Sequence, residues 1–183
     1  MKFYYTENLS GELSLPGDKS ISHRAVMFAS MAEGESIIKN CSNAEDVRST
    51  ISCFRKLGVE IHEKENSLIV KGKGFQNFCE PEEELYAGNS GTTARLMSGI
   101  LCAQNFKSII TGDESLSKRP MKRVVEPLNM MGADITASPE GTLPLVIKPS
   151  SSLHAINYKL KVASAQVKSA LILAALHLED ESI

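Results

Sequence analysis

Apolar positions along the 183-residue chain change period in a fixed order, and the order recurs. Residues 20–33 are apolar nearly all round, which predicts a buried helix, and SIIKN after them reads as a short strand. Between 44 and 57, Val47, Ile51, Phe54 and Leu57 fall at helical spacing, and Gly58 then stops the helix. VEIHEK and SLIVKG alternate with period two across the polar turn ENS, the pattern of a hairpin. ELSL, ahead of the first helix, supplies a leading strand. A second pass matches: EELYA, a helix over 91–104, SIIT, a helix over 120–131, then ADITA and PLVIK. Pro120 suits a helix start, whereas Pro127 predicts a kink or local weakening. INYKLKVA opens a third pass, and its helix contains VKSALILAALHL (167–178), the stretch most apolar all round.

The register of the repeat is tight. Asp18, Ser90 and Ser164 each stand 18 residues before Ser36, Ser108 and Ser182, and Ile37, Ile109 and Ile183 follow those serines. Copies start 72 and 74 residues apart, longer than common solenoid units, so each reads as a compact subdomain. The boundaries expected are an opening segment over 1–14 and a domain over 15–183, with units near 15–75, 84–148 and 153–183. The third copy stops at the opening of a strand, Glu181–Ile183, which predicts a polypeptide continuing for at least one helix and a hairpin. A degenerate capping repeat is the alternative.

Composition narrows the function classes. Twenty basic against 22 acidic residues give a net charge of −2, so no global basic field argues for nucleic acid, and anion binding must be local. Cys41, Cys53, Cys79 and Cys102 lack CxxC spacing and nearby paired histidines, which argues against zinc and for reduced, mostly buried thiols of a cytosolic protein. MKFYYTENLSGEL has no apolar core of a leader, and no stretch reaches the ~18 apolar residues of a membrane span. A soluble, cytoplasmic protein with no membrane partner is expected.

The starts of the first helix in each copy are unusually polar. A helix N-terminus offers unpaired N–H groups and partial positive charge, and so attracts phosphate or carboxylate. The first start adds Lys19, Ser20 and Arg24; the second Asn89, Ser90, Thr92 and Arg95; the third Ser164, Gln166 and Lys168. Any one of them reads as ordinary capping. Three repeated starts with cations point instead to one anionic ligand, because an unpaired cation is costly to bury. The loop GDESLSKRPMKR (112–123) places Arg119 just before Pro120, where it can clamp a phosphate or carboxylate; Lys122 and Arg123 read as surface residues. GDKS is not a P-loop, since GxxxxGK[ST] is absent. His23 reads as a polar contact more than a general base, Asp18 as a cap, and His62, His154 and His177 have no nameable partner.

LPGDKSISHRA, GNSGTTARL, the SKRPM loop and ASAQVKSALILAAL, in that order, resemble the successive signatures of the 5-enolpyruvylshikimate-3-phosphate synthase family, and SAQVKSA resembles its variant in many Gram-positive bacteria. The resemblance implies an α/β (α+β) fold of repeated βαβαββ units around central helices, an enolpyruvyl transferase-like inside-out barrel domain. It also places residues 1–14 with a second domain that this sequence lacks. By resemblance, Lys19, Ser20, Arg24, Ser164, Ala165 and Gln166 hold shikimate 3-phosphate, and Lys19, Asn89, Gly91, Arg119 and Gln166 face phosphoenolpyruvate. Ala165 departs from the serine of some members and offers only backbone. Lys19 is the one catalytic candidate, and the family's acid–base carboxylates belong to the second domain. No metal or organic cofactor is implied, and the partners are the two substrates and that second domain, in a monomeric whole protein.

Two other readings stay open at this level. The enolpyruvyl transferase of UDP-N-acetylglucosamine shares the fold, but its loop carries a cysteine where GDESLSKRPM has none. A non-catalytic anion-binding half is the other. Either way, the fragment alone is expected to turn over nothing.

Overall fold

The computed structural model describes all residues except 1, 3, 6 and 9. Its first elements are α1 (Lys19–Met31), β1 (Glu33–Lys39), α2 (Glu45–Lys56), β2 (Glu60–Lys64) and β3 (Ser67–Lys73). There follow β4 (Leu85–Tyr86), α3 (Gly91–Leu101), β5 (Ser108–Thr111), the single turn α4 (Glu114–Ser117), α5 (Lys122–Met130), β6 (Asp134–Thr136), β7 (Leu145–Lys148) and α6 (Ala165–Ala175). Two sheets carry the repeat. One has the order β1-β3-β2, all antiparallel; the other has β4-β5-β7-β6, with β4 parallel to β5 and the rest antiparallel. In each, the last strand of the copy lies in the middle.

Helices back the sheets through apolar stripes, the one along α2 being the stripe read from its spacing. Val47, Ile51, Phe54 and Leu57 are buried along α2, as are Val124, Leu128 and Met131 along α5. Gly58 and Gly132 follow with φ of 83° and 88°, a left-handed turn that suits glycine and lets the chain reverse into β2 and β6. In α3, every residue except Thr92 is buried. Gly99 makes this possible: a Cβ there would lie 2.0 Å from the Ala170 carbonyl oxygen, so α3 and α6 meet backbone to backbone.

Four expectations are corrected. ELSL forms no strand; residues 12–15 are exposed and irregular, with no ladder partner. INYKLKVA is irregular too, although Ile183 N–H donates to Ile156 C=O (3.0 Å) and Tyr158 N–H to Ile183 C=O (2.6 Å), one link of a parallel pairing like that of β4 with β5. The fully surrounded helix is α3 and not α6, whose Ile172 and Leu176 are 51% and 46% exposed. Its packing comes from α3 and α5 on one side, and an apolar groove of about 660 Å³ lined by Leu160, Leu171, Ile172 and Ile183 runs along the other. The fifth helix begins two residues after Pro120, because Met121 is its N-cap, and it runs through Pro127 to Met130.

The thiols divide evenly. Cys53 and Cys102 are buried, and burial pushes both up to about 12; Cys41 is half-buried and Cys79 exposed. All four are free. Among the described residues no helix is long and apolar enough to cross a membrane.

Candidate functional site

Each repeated helix start is capped by the residue that the register aligns. Asp18 accepts from Ile21 N–H, Ser90 from Thr93 N–H and Ser164 from Val167 N–H, at 2.7, 3.1 and 3.4 Å. Capping therefore accounts for Asp18, Ser90 and part of Ser164. It does not account for the cations.

Side-chain hydrogen bonds draw the starts together. Gln166, on α6, donates through Nε2 to Thr92 Oγ1 (3.0 Å) and accepts through Oε1 from Arg95 Nη1 (2.8 Å), so α6 and α3 share one polar corner. Lys19, at the head of α1, pairs with Asp46 in the first turn of α2 at 2.8 Å. Thr93 Oγ1 approaches the Asp46 carbonyl at 3.3 Å, tying α3 to the same turn. Beneath runs a buried relay: His23 Nδ1 meets Thr50 Oγ1 (2.7 Å), Thr50 meets Thr93 (2.7 Å), and Thr93 meets Ser90 Oγ (2.8 Å). All four of its residues are fully buried.

Arg95 is the electrostatic centre of the corner. It is 4% exposed and has no carboxylate within ion-pair distance among the described residues. Nη1 reaches Gln166 and Nη2 the Pro120 carbonyl (3.1 Å), while Nε has no partner. Burial first, then the charges of Arg123 and Arg119, lower this guanidinium to about 10. Gly91 opens the space beside it: a Cβ at Gly91 would lie 2.6 Å from Arg95 Nη1 and 3.6 Å from Arg119 Nη1. Two guanidinium groups thus flank a backbone surface at the start of α3.

Arg119 is held from three sides. Nη1 donates to the Asn89 carbonyl (3.3 Å), and Nη2 donates to Asn89 Oδ1 and to Ser115 Oγ. Asn89 Nδ2 in turn donates to Asp113 Oδ2 at 2.6 Å. Ser20, Arg24, Ala165 and Lys168 are exposed, as are Lys19 and Asn89. Lys122 and Arg123 lie at the surface as expected, though the charge of Arg123 reaches Arg95.

His23 is no general base open to ligand. It is fully buried and its Nε2 has no partner among the described residues; burial lowers it to about 4, the Asp46 carboxylate opposes that, and the Lys19 ammonium adds to it. The other histidines do have neighbours: His62 lies 3.8 Å from Glu60, His154 Nδ1 meets the Ser152 carbonyl, and His177 stands edge-on to Phe75. Asp46, Thr50, Thr93 and Asp113 were not legible as site residues. Each stands in an unremarkable helix turn or cap, and gains its partner at the site only when stretches 24 to 47 residues apart come together.

Comparisons with known proteins identify the family and the fold. The sequence model of EPSP synthase (3-phosphoshikimate 1-carboxyvinyltransferase) matches residues 4–183. The chain belongs to the EPSP synthase family. A 3-phosphoshikimate 1-carboxyvinyltransferase of Syntrophomonas wolfei is 51% identical over 96% of this chain and 41% of its own length. One of Bacillus licheniformis is 52% identical over 98% of this chain and 42% of its own. An EPSP synthase structure from Acinetobacter baumannii superposes with a TM-score of 0.91 at 45% identity, covering 94% of this chain and 40% of that one. The chain therefore spans about two-fifths of the length of the relatives it matches. The α+β fold expected from the resemblance is that of these neighbours.

Proposed function

We propose that this chain is the N-terminal part of an enolpyruvyl transferase that moves the carboxyvinyl group of phosphoenolpyruvate to the 5-hydroxyl of shikimate 3-phosphate. The observation that carries this is Arg95: a buried guanidinium with no carboxylate partner among the described residues, beside Gly91, Arg119 and the capped starts of α3 and α6, is a receptor for anionic oxygen. Lys19, Ser20, Arg24, Ser164, the Ala165 backbone and Gln166 serve shikimate 3-phosphate. Asn89, Gly91 and Arg119 serve phosphoenolpyruvate, with Lys19 and Gln166 between the two ligands.

The chemistry follows from charge. The 5-hydroxyl loses its proton to a base as its oxygen adds to C2 of phosphoenolpyruvate and C3 takes a proton from an acid, and the tetrahedral adduct then loses phosphate and a C3 proton. Two polyanions must approach for this, and fixed cations with helix N-termini offset their repulsion and align the attack. The chain supplies that electrostatic half. The acid–base groups come from the second domain, so the 183 residues alone bind shikimate 3-phosphate weakly and release no phosphate. Two uncharged thiols deep in the core suit the reducing cytoplasm in which we place it.

Calorimetry with shikimate 3-phosphate tests the reading. Wild type binds, and Arg24→Ala binds at least about tenfold more weakly, the equivalent of one charge-assisted contact. Equal binding by both overturns the site assignment, and steady-state phosphate release by the chain alone overturns the division of labour.

A further inference from the structure

We infer that Asp113 is a positioning residue for Arg119, acting through the side-chain amide of Asn89; the inference rests on the reading of Arg119 as an anion clamp. A carboxylate accepts hydrogen bonds only, and a guanidinium donates only. An amide held between them satisfies both in just one of its two flips. Here Asn89 gives Nδ2 to Asp113 Oδ2 and Oδ1 to Arg119 Nη2, the satisfied flip. Reversing it sets two acceptors face to face at Asp113 and two donors at Arg119.

Asp113 is itself fixed on both oxygens. Oδ1 caps α4 by accepting Leu116 N–H at 2.7 Å, which leaves Oδ2 for Asn89. The Asp113 N–H donates to the Gly88 carbonyl (2.9 Å), so the cap is anchored one residue before Asn89. These N–H groups, Leu116 first and Asn89 second, also hold the carboxyl below its usual range, and it stays ionised at neutral pH. Arg119 is then gripped at the carbonyl and the side chain of one residue, with Ser115 as a third point, and Nε–H and one Nη1–H remain for a ligand. Nη1 faces the space left by the missing Gly91 side chain. A negative charge beside an anion site weakens binding by Coulomb repulsion. Orientation of the strongest donor offsets that loss, since a pre-aimed guanidinium gives up less rotamer freedom on binding.

A compensating pair of substitutions tests this. Asp113→Asn keeps the α4 cap, because asparagine caps as well as aspartate. The introduced Nδ2 then faces Asn89 Nδ2, and Asn89 must flip and turn a donor towards Arg119. Adding Asn89→Asp restores every bond: the amide introduced at position 113 donates to the carboxylate introduced at position 89, and that carboxylate accepts from Arg119. The Arg119 Nε–Hε resonance of the isotope-labelled chain is read in each protein, with the Leu116 amide as the check that α4 stays capped. We expect one sharp resonance in wild type, an exchange-averaged one in Asp113→Asn, and a sharp one again in the double variant. An unchanged resonance in all three overturns the inference, as does a double variant no sharper than Asp113→Asn. Titration with phosphoenolpyruvate is read separately. If the relay holds, affinity falls about tenfold in Asp113→Asn. If the resonances behave as expected while phosphoenolpyruvate shifts none of them, the relay stands and the ligand reading of Arg119 falls.

Discussion

Acid should unfold this chain through His23 before it reaches the carboxylates. The imidazole is fully buried, bonded to Thr50 through Nδ1, and its Nε2 has no acceptor to welcome a second proton. Its folded value is about 4 against an ordinary 6.5. A group with a depressed folded pKa leaves stability intact above the unfolded value and removes it as pH falls, because the unfolded chain binds the proton first. The gap corresponds to about 3 kcal/mol in full, of which about 2 kcal/mol is lost between about pH 7.5 and about pH 5. Glu60, Glu83 and Asp113 are all held low by their partners and stay ionised across that window. His177, also lowered by burial, adds to the loss in the same direction. Urea unfolding at both pH values, for wild type and His23→Gln, isolates the His23 share: the variant keeps a partner for Thr50 but cannot titrate. We expect the variant to lose about 2 kcal/mol less than wild type over the window. Parallel losses in the two proteins refute the reasoning.

Three further outcomes follow from the same geometry. Gly91→Ala brings a Cβ 2.6 Å from Arg95 Nη1, so we expect phosphoenolpyruvate-induced shifts at Arg119 to weaken at least about tenfold while urea stability changes by less than about 1 kcal/mol, helix propensity offsetting the crowding. Arg95→Met removes a buried cation that has no carboxylate partner among the described residues; millimolar inorganic phosphate should raise the Tm of wild type and leave that of the variant nearly unmoved. Phe54→Ala deletes a fully buried ring packed on Phe78 and should cost about 3–5 kcal/mol in urea unfolding, with the shikimate 3-phosphate affinity of the folded fraction unchanged.

Periodicity made most of the architecture legible. The stripe of α2 and the hairpin of β2 and β3 follow from spacing alone, since one face of each element must be buried. The failures share one cause. ELSL and INYKLKVA alternate as strands do, yet a strand also needs a neighbour with free N–H and C=O groups, and β4 keeps its two residues because β5 lies beside it. α6 is as apolar as a central helix, but burial depends on what packs against it. At the site, the caps and cations were readable because each belongs to a local motif. The bonds of Asp46 to Lys19, Thr50 to His23 and Asp113 to Asn89 span 27, 27 and 24 residues, and nothing in the local pattern announces them.

The contact of Gly99 with the Ala170 backbone acts as a gauge block for the anion corner. It lies eight residues down α3 from Gly91 and touches none of the candidate ligand groups, yet it sets how closely α3 and α6 can lie side by side. The reach of Gln166 to Thr92 and Arg95 depends on that separation. Width at the ligand end is therefore a dimension this protein can adjust from within its core, by the bulk of one residue, without altering any group that meets the anion.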